Sequence, residues 1–253
     1  MTSAIGIDIG GTGIKAALVD LDTGSLLSDR HKVPTPEGGE PDDVVKAVVG
    51  LVSEFEELDE ETPVGVCFPA VVRGGRTMSA ANVSDAWIGL EAEQLFEKAL
   101  GRGIHFINDA DAAGVAEARY GAAKDVPGLV IMTTLGTGIG TALINDGRLV
   151  PNAELGHLEI DGVDWETVAS NGARERASLS WTEWAGRLQR YYERLEAYLS
   201  PELFVVGGGV SKQHEDFLPL LELDTRIVPA ALRNNSGIMG AAALAEGSTL
   251  HSS

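Results

Sequence analysis

The sequence predicts a mixed α/β protein built from two similar halves. Three observations predict it. First, a strand, glycine turn and strand occur twice. Ile5–Val19 matches Val130–Ile144 at a shift of 125 residues, and Gly11-Thr12-Gly13-Ile14 aligns without a gap on Gly136-Thr137-Gly138-Ile139. Second, apolar runs of strand length alternate with helical patterns, the order of an α/β chain. Third, no low-complexity linker interrupts the 253 residues. A chain of that length can be one large domain or two ordinary ones. The duplication favours two halves packed closely, with a ligand cleft between them.

The elements follow in order. Residues 5–9, 14–21 and 25–33 read as strands separated by tight turns. Pro34 to Pro41 is a loop. Val44 to Leu58 carries helical apolar spacing with acids between. Val64 to Val72 reads as a buried strand, turned by Gly74-Gly75. Glu91 to Leu100 is a short helix. Ile104 to Ile107 is a strand that delivers Asn108 and Asp109 at its end, and Ala112 to Tyr120 is a helix closed by Gly121. The second half restarts with strands at 128–134 and 139–144. A helix spans 181–199, a strand at 203–206 runs into Gly207-Gly208-Gly209, and a last helix follows Asn234-Asn235.

Composition narrows the function. A net charge of −19 argues against nucleic acid, whose phosphates need basic surface. It leaves room for a small phosphate donor, because salt confines surface charge effects to roughly 8 Å. The charge is uneven. Residues 37–61 hold ten acids and one lysine, whereas 62–84 hold no acid but contain Arg73 and Arg76. That stretch reads equally as an approach for an anion or as a charge-poor strand with two surface arginines. The single cysteine, Cys67, rules out a disulfide framework or a multi-cysteine zinc site within one chain. No basic and apolar leader precedes the first strand, and no apolar run reaches spanning length. A soluble, cytoplasmic protein without a membrane partner is expected.

Several residues carry candidate chemistry. Glycine turns with a threonine hydroxyl can aim backbone N–H groups at phosphate with no Cβ in the way. Two of them would hold a phosphate chain from both sides. Asp8 stands in an apolar strand, where an unpaired charge is costly, so a purely structural role is improbable. Asp109 at a strand end can accept a proton or cap the following helix, and Asp111 is the better capping residue. Lys15 reads equally as a phosphate contact or as the solvent face of its strand. Gly207-Gly208-Gly209 would approach a nucleotide, or satisfy the dihedrals of a turn, or both. Trp181, Trp184, Leu188, Tyr191, Leu195 and Tyr198 form one stripe. It reads as core, with a homodimer interface through the 181–199 helix as the rival.

Asp8-Ile-Gly-Gly-Thr12 resembles the phosphate-1 segment of the sugar kinase, Hsp70 and actin superfamily. Leu135-Gly-Thr-Gly138 resembles its phosphate-2 segment and Val206-Gly-Gly-Gly209 its adenosine segment. Glu154-Leu-Gly-His157 narrows the resemblance to the ROK sugar kinases. That family usually follows this segment with a zinc-binding cysteine cluster. Here Leu158 to Glu166 holds no cysteine, so no zinc site is expected. This stretch instead resembles the polyphosphate glucokinases, as do Ala169-Ser170, Ala173 to Arg176, Phe106 to Gly114, Trp181 to Gln189 and Gly207 to Lys212. Two places depart locally: Ala70 stands where glycine is expected, and Asn82 to Trp87 carries one extra residue.

The resemblance implies two ribonuclease-H-like lobes, of the actin and hexokinase superfamily, with an interlobe cleft. It places residues 1–111 plus 237–253 in the N-terminal lobe and 112–236 in the C-terminal lobe. It implies transfer of a phosphoryl group from inorganic polyphosphate or ATP to the 6-hydroxyl of glucose, with mannose as a second hexose. Asp109 would be the general base. Asn82, Asn108, Asp109, Glu154, His157 and Glu166 would hold the sugar. Asp8 would meet Mg²⁺ through water. Gly10, Gly11, Thr12, Gly13, Lys15, Thr134, Gly136, Thr137, Gly138, Gly207, Gly208 and Gly209 would serve the donor. Three rivals remain: an ATP-only hexokinase, a sugar-sensing repressor, and an actin-like ATPase. The repressor needs a DNA-binding segment ahead of Asp8, where seven residues stand. The ATPase has no use for a His and Glu set beside an Asn-Asp pair.

Overall fold

The two glycine hairpins each open a five-stranded sheet, and the two sheets share one strand order. The computed structural model describes residues 2–55, 59 and 61–246. In chain order the elements are β1 (Ser3–Ile9), β2 (Ile14–Asp20), β3 (His31–Val33), α1 (Pro41–Val52), β4 (Val64–Phe68), β5 (Val72–Arg73), β6 (Arg76–Thr77), α2 (Ala92–Leu100), β7 (Ile104–Asn108) and α3 (Asp109–Tyr120). There follow β8 (Leu129–Leu135), β9 (Ile139–Asn145), β10 (Arg148–Val150), β11 (Glu159–Ile160), β12 (Val163–Asp164), α4 (Glu166–Ala169), α5 (Asn171–Arg176) and α6 (Trp181–Leu199). The chain ends with β13 (Leu203–Gly207), α7 (His214–Phe217), β14 (Arg226–Pro229) and α8 (Ser236–Ala245).

The first sheet runs β3-β2-β1-β4-β7 and the second β10-β9-β8-β13-β14. In each, the three strands of the hairpin meander pair antiparallel and the next two join parallel. Contacts divide the chain into two compact units, Met1–Ala116 with Asn235–Ser253, and Glu117–Asn234. The division passes through α3, between Ala116 and Glu117. Among the described residues no helix is long and apolar enough to cross a membrane.

The core of the first unit is the apolar face of its sheet. Ile5, Ile7, Ile9 and Ile14 pack with Phe68, Trp87, Phe96 and Phe106. The opposite face takes α8, whose sequence Ser-Gly-Ile-Met-Gly-Ala-Ala-Ala-Leu-Ala lets backbone approach backbone. A methyl group at Gly6 would lie 1.8 Å from the carbonyl oxygen of Ile238, and one at Gly65 1.9 Å from that of Ala241. Gly240 is equally closed, 1.7 Å from the Ala112 oxygen. These glycines bring the first turn of α8 against Asp8.

The second unit packs α6 over its sheet. Ser180 and Glu183 form a capping box at the start of α6. Trp184, Leu188, Tyr191, Tyr192 and Leu195 are fully or nearly fully buried. The stripe is therefore spent on the core of its own unit. A dimer interface through this helix, the rival reading, loses the observation that suggested it, since of that stripe only Tyr198 is exposed.

Several boundaries move, each for a local reason. The strand expected over 25–33 shrinks to β3, because the Ser28 hydroxyl takes the Leu18 N–H at 3.0 Å and a single bridge joins Val19 to Leu26. Helix α1 starts early, on Pro41 with Asp42 and Asp43 in its first turn. It stops at Val52; Glu56 to Leu58 of the expected helix lie outside the described residues. Pro69 ends β4, and Gly74 and Gly75, both at positive φ, turn the short β5–β6 hairpin. Helix α3 begins at Asp109 rather than Ala112.

Candidate functional site

Each unit carries one glycine turn with polar side chains around it. In the first unit the turn is closed by a Gly10 N–H to Gly13 carbonyl bond of 3.1 Å. Gly11 and Thr12 are exposed at its tip. The Thr35 hydroxyl holds the Gly10 carbonyl at 2.5 Å. Asn82 packs on Gly11, where a methyl group would meet its Cβ at 2.8 Å. Asn82 has φ +60°, so it is a turn residue and a neighbour of the phosphate loop at once.

Asp8 and Lys15 face each other across the β1–β2 pair and form an ion pair of 2.8 Å. Lys15 is thus neither on an open solvent face nor a free cation at the loop. Its charge is what makes Asp8 affordable in an apolar strand. The other Asp8 oxygen lies 3.7 Å from the Cys67 sulfur. Cys67 is buried, and burial pushes its thiol well above the usual range, with the charges of Asp8 and Asp109 adding to the shift. It is a neutral, inert thiol at working pH.

Asn108 and Asp109 straddle the start of α3. The Asn108 Oδ1 accepts from Ala110 N at 2.8 Å and Asp111 N at 3.0 Å, and its Nδ2 donates to the Ala70 carbonyl at 3.0 Å. Asn108, not Asp111, is therefore the cap, and Asp111 is fully buried. With these bonds made, Asn108 keeps one N–H to offer a ligand. Ala70, at the position where glycine was expected, contributes the carbonyl that fixes it. Asp109 is half-buried in the first turn of the helix.

In the second unit the turn is closed by Gly136 N–H to the Gly138 carbonyl at 3.0 Å. Glu166 backs it. Its Oε2 accepts the Ile139 N–H at 2.7 Å, and a methyl at Gly138 would strike that carboxylate. Glu154 and His157 flank a single turn of 3₁₀ helix that Gly156 permits, because a methyl there would meet the Ile139 oxygen at 2.0 Å. The Glu154 carboxyl is raised above its ordinary range by the protein mass beside it, with Glu166 adding and His157 opposing. His157 is exposed, and its Nδ1 lies 2.9 Å from an Asp164 oxygen. That bond raises its pKa, against a smaller opposing effect of burial; the charges of Glu166, Asp164 and Glu154 add to it.

Beside the turn lies a cavity of about 380 Å³. Gly136, Thr137, Asn171, Arg174, Trp181 and Gly209 line it. Thr134 is half-buried at the end of β8. Gly207 is buried, and Gly208 at φ +83° leaves no room for a side chain against the Leu135 backbone. Arg174 stacks over Trp181, its guanidinium carbon 4.0 Å from the ring centroid. Arg76 is tied to Glu91 in the first unit. Among the described residues no cluster of three His, Cys, Asp or Glu side chains is arranged to hold a metal.

Sequence reasoning singles out Arg174 and Arg176, which lie in the stretch that replaces the zinc loop, for a polyphosphate path, and misses Asp164 and Thr35. Asp164 had a signal: Asp161-Gly162 marks a two-residue hairpin, which returns the chain from His157 to Glu166.

Two sheets of one order, each opened by a glycine hairpin, and a polar set on each unit define a duplicated α/β fold for handling phosphate. The model of the ROK family matches residues 4–174. The chain belongs to the ROK family, and its fold is the actin- and hexokinase-like fold of ROK sugar kinases. It is 44% identical to a polyphosphate glucokinase of Mycobacterium tuberculosis, over 97% of this chain and 92% of the relative. Its structure matches the inorganic polyphosphate/ATP-glucomannokinase of Arthrobacter sp. strain KM with a TM-score of 0.93 and 54% identity, covering 98% of this chain and 100% of the other. A ROK family glucokinase from Streptomyces griseus, solved with glucose and AMPPNP, matches with a TM-score of 0.81 and 26% identity, covering 97% and 99%.

Proposed function

We propose that this chain is a cytoplasmic glucokinase that moves a phosphoryl group from inorganic polyphosphate or ATP to the 6-hydroxyl of glucose, with mannose as a second acceptor. The observation that carries this reading is its near full-length likeness to polyphosphate glucokinases, at 44% identity over 97% of the chain. The geometry supports it. Each unit supplies one glycine turn for the donor. The second adds a cavity next to Gly209 with room for a base or a run of phosphates.

The roles follow from the chemistry. Asp109 takes the proton of the 6-hydroxyl as the oxygen attacks the terminal phosphorus; the bond to the bridging oxygen breaks, and the shortened donor leaves with that electron pair. Asn108, Asn82, Glu154, His157 and Glu166 satisfy sugar hydroxyls in pairs of donors and acceptors. The backbone of Gly11 and Gly13 and the Thr12 hydroxyl receive the transferred phosphate, with the Gly10 N–H closing the turn. Thr134, Gly136, Thr137 and Gly138 hold the rest of the donor, with Gly207 to Gly209 at its far end. Magnesium, when bound, would neutralise donor charge. Asp8 suits it through water, as a hard oxygen donor at the edge of the turn.

The test is glucose 6-phosphate formation by the purified chain with each donor and each sugar. Activity with both donors is expected, and glucose should raise the melting temperature. Activity with ATP alone would reduce the reading to an ATP-only hexokinase. No transfer from either donor, by a protein that glucose still stabilises, would overturn it in favour of a sugar sensor.

A further inference from the structure

We propose that Asp164 is a positioning residue of this site: one carboxylate oxygen fixes the ring of His157 and the other fixes the start of the Glu166 helix, so that the two side chains are set as one unit. The inference rests on the reading that His157 and Glu166 hold a hexose.

The geometry is a chain of three bonds. Asp164 Oδ2 lies 2.9 Å from His157 Nδ1. Asp164 Oδ1 accepts the Glu166 N–H at 3.1 Å. The Glu166 carboxylate in turn accepts the Ile139 N–H at 2.7 Å, at the edge of the glycine turn. An ionised carboxylate can only accept, so Nδ1 carries the proton. In the neutral ring Nε2 is then an acceptor, fixed in direction and ready for a sugar hydroxyl. The same logic governs histidines whose second nitrogen is oriented by a carboxylate.

The support of Asp164 is rigid. It ends the β11–β12 hairpin, whose turn residues Asp161 and Gly162 both have positive φ, as a two-residue turn of this type requires. Ile160 anchors the hairpin in the core. Arg190 pairs with Asp161 and lies over the Trp165 ring, and the Trp165 indole donates to the Arg187 carbonyl at 3.1 Å. A segment without cysteine thus obtains its stiffness from a hairpin, a tryptophan and an acid. The charged groups around the ring are Glu154 from the 3₁₀ turn, Asp164 from the hairpin and Glu166 from α4. Among the described residues only Asp164 is bonded to the ring.

Two variants test this. In Asp164→Asn the charge is lost and one acceptor oxygen is left for two donors, His157 Nδ1–H and the Glu166 N–H, so one of the two bonds is lost. In Asp164→Ala both are lost. Nitrogen-detected imidazole signals of the full chain, assigned with His157→Gln, should show Nδ1–H in wild type. Asp164→Ala should shift to Nε2–H. The glucose KM of Asp164→Ala should rise about tenfold or more and that of Asp164→Asn by less, in each case more than the donor KM changes. If wild type carries Nε2–H, or if both variants keep the wild-type glucose KM, the proposal is overturned. Should Asp164→Ala not fold, the wild-type tautomer and the Asp164→Asn kinetics still decide. A wild-type chain that does not bind glucose would instead sink the hexose reading itself.

Discussion

Replacing Arg174 by glutamine tests how a protein of charge −19 accepts a polyanion. Arg174 lines the cavity beside the Gly136–Gly138 turn. Its Nε donates to Asn171 at 3.0 Å, and its guanidinium stacks on Trp181. Two losses follow. The stacking is worth about 0.5–1 kcal/mol at a half-exposed site, which lowers the melting temperature by roughly 1–4 °C. The charge acts on the donor. A cavity of about 380 Å³ puts a bound phosphate on the order of 7 Å from the guanidinium. At effective dielectrics between about 20 and 80 that is about 0.6–2.4 kcal/mol per charge. Salt and partial exposure hold the value near the lower half, about 1 kcal/mol, or about fivefold in KM. On the proposed reading, polyphosphate would place several charges along this wall, whereas ATP would end its phosphates there and add a base contact near Gly208. The polyphosphate KM should therefore rise about fivefold and the ATP KM by less. Adding Arg176→Gln should widen the gap, because Arg176 is an exposed cation two residues further along the same helix. The assay is initial rate against each donor over a salt series, with polyphosphate the more salt-sensitive. Equal losses for both donors, with parallel salt dependence, would refute the reasoning.

Asp109→Asn should fold, bind glucose by calorimetry, and lose about 10²–10⁴ in kcat; retention of a tenth of the wild-type rate would place the base elsewhere. Gly240→Ala should cost well over about 3 kcal/mol or prevent folding, because its methyl would sit 1.7 Å from the Ala112 oxygen; an unchanged denaturation midpoint would show that α8 is free to shift. The raised pKa of His157 means that the extra stability its charged ring draws from the bond to Asp164 is full below about pH 6.5, the unfolded value, and is lost as pH rises through the folded one, while the neutral Nδ1–H bond remains. The melting-temperature gap between wild type and His157→Gln should thus be widest near pH 5 and narrower at pH 9, and a gap that grows with pH would contradict the assignment.

The fold was legible because its signals are local and repeated. The glycine hairpin appears twice in the sequence, and each copy builds the same meander. Helix α6 announced itself by a stripe that then proved to be core. Boundaries failed where a side chain replaced the backbone ladder, as Ser28 does at Leu18. The site was legible where one residue type has one use: a carboxylate inside an apolar strand, a His beside a Glu across glycine. It was not legible where the partner comes from elsewhere in the chain. The sequence offered two uses for Lys15, and pairing across β1–β2 gives it a third, with Asp8. Nothing near Asn108 announced that Ala70 would bind its amide. The hairpin that aims Asp164 at His157 is visible only once both strands are in register.

The same distinction sorts the basic residues that a polyphosphate chain could use. The sequence offers six, Lys15, Arg73, Arg76, Arg174, Arg176 and Lys212, and favours Arg174 and Arg176 because they lie in the stretch that replaces the zinc loop. Lys15 is spent on Asp8 and Arg76 on Glu91. A guanidinium neutralised by a neighbouring carboxylate offers a polyanion little net field. Stacking on an aromatic ring, by contrast, orients Arg174 without cancelling its charge. Of the six, Arg174, Arg176 and Lys212 lie in the unit that carries the cavity, while in the first unit Arg73 is exposed and Arg76 is paired. Arg76→Gln should consequently leave the polyphosphate KM and its salt dependence at wild-type values. A clear rise in either would mean that the Glu91 pair opens for the donor, and that the acid-free stretch from Thr62 to Ser84 is the path of the chain after all.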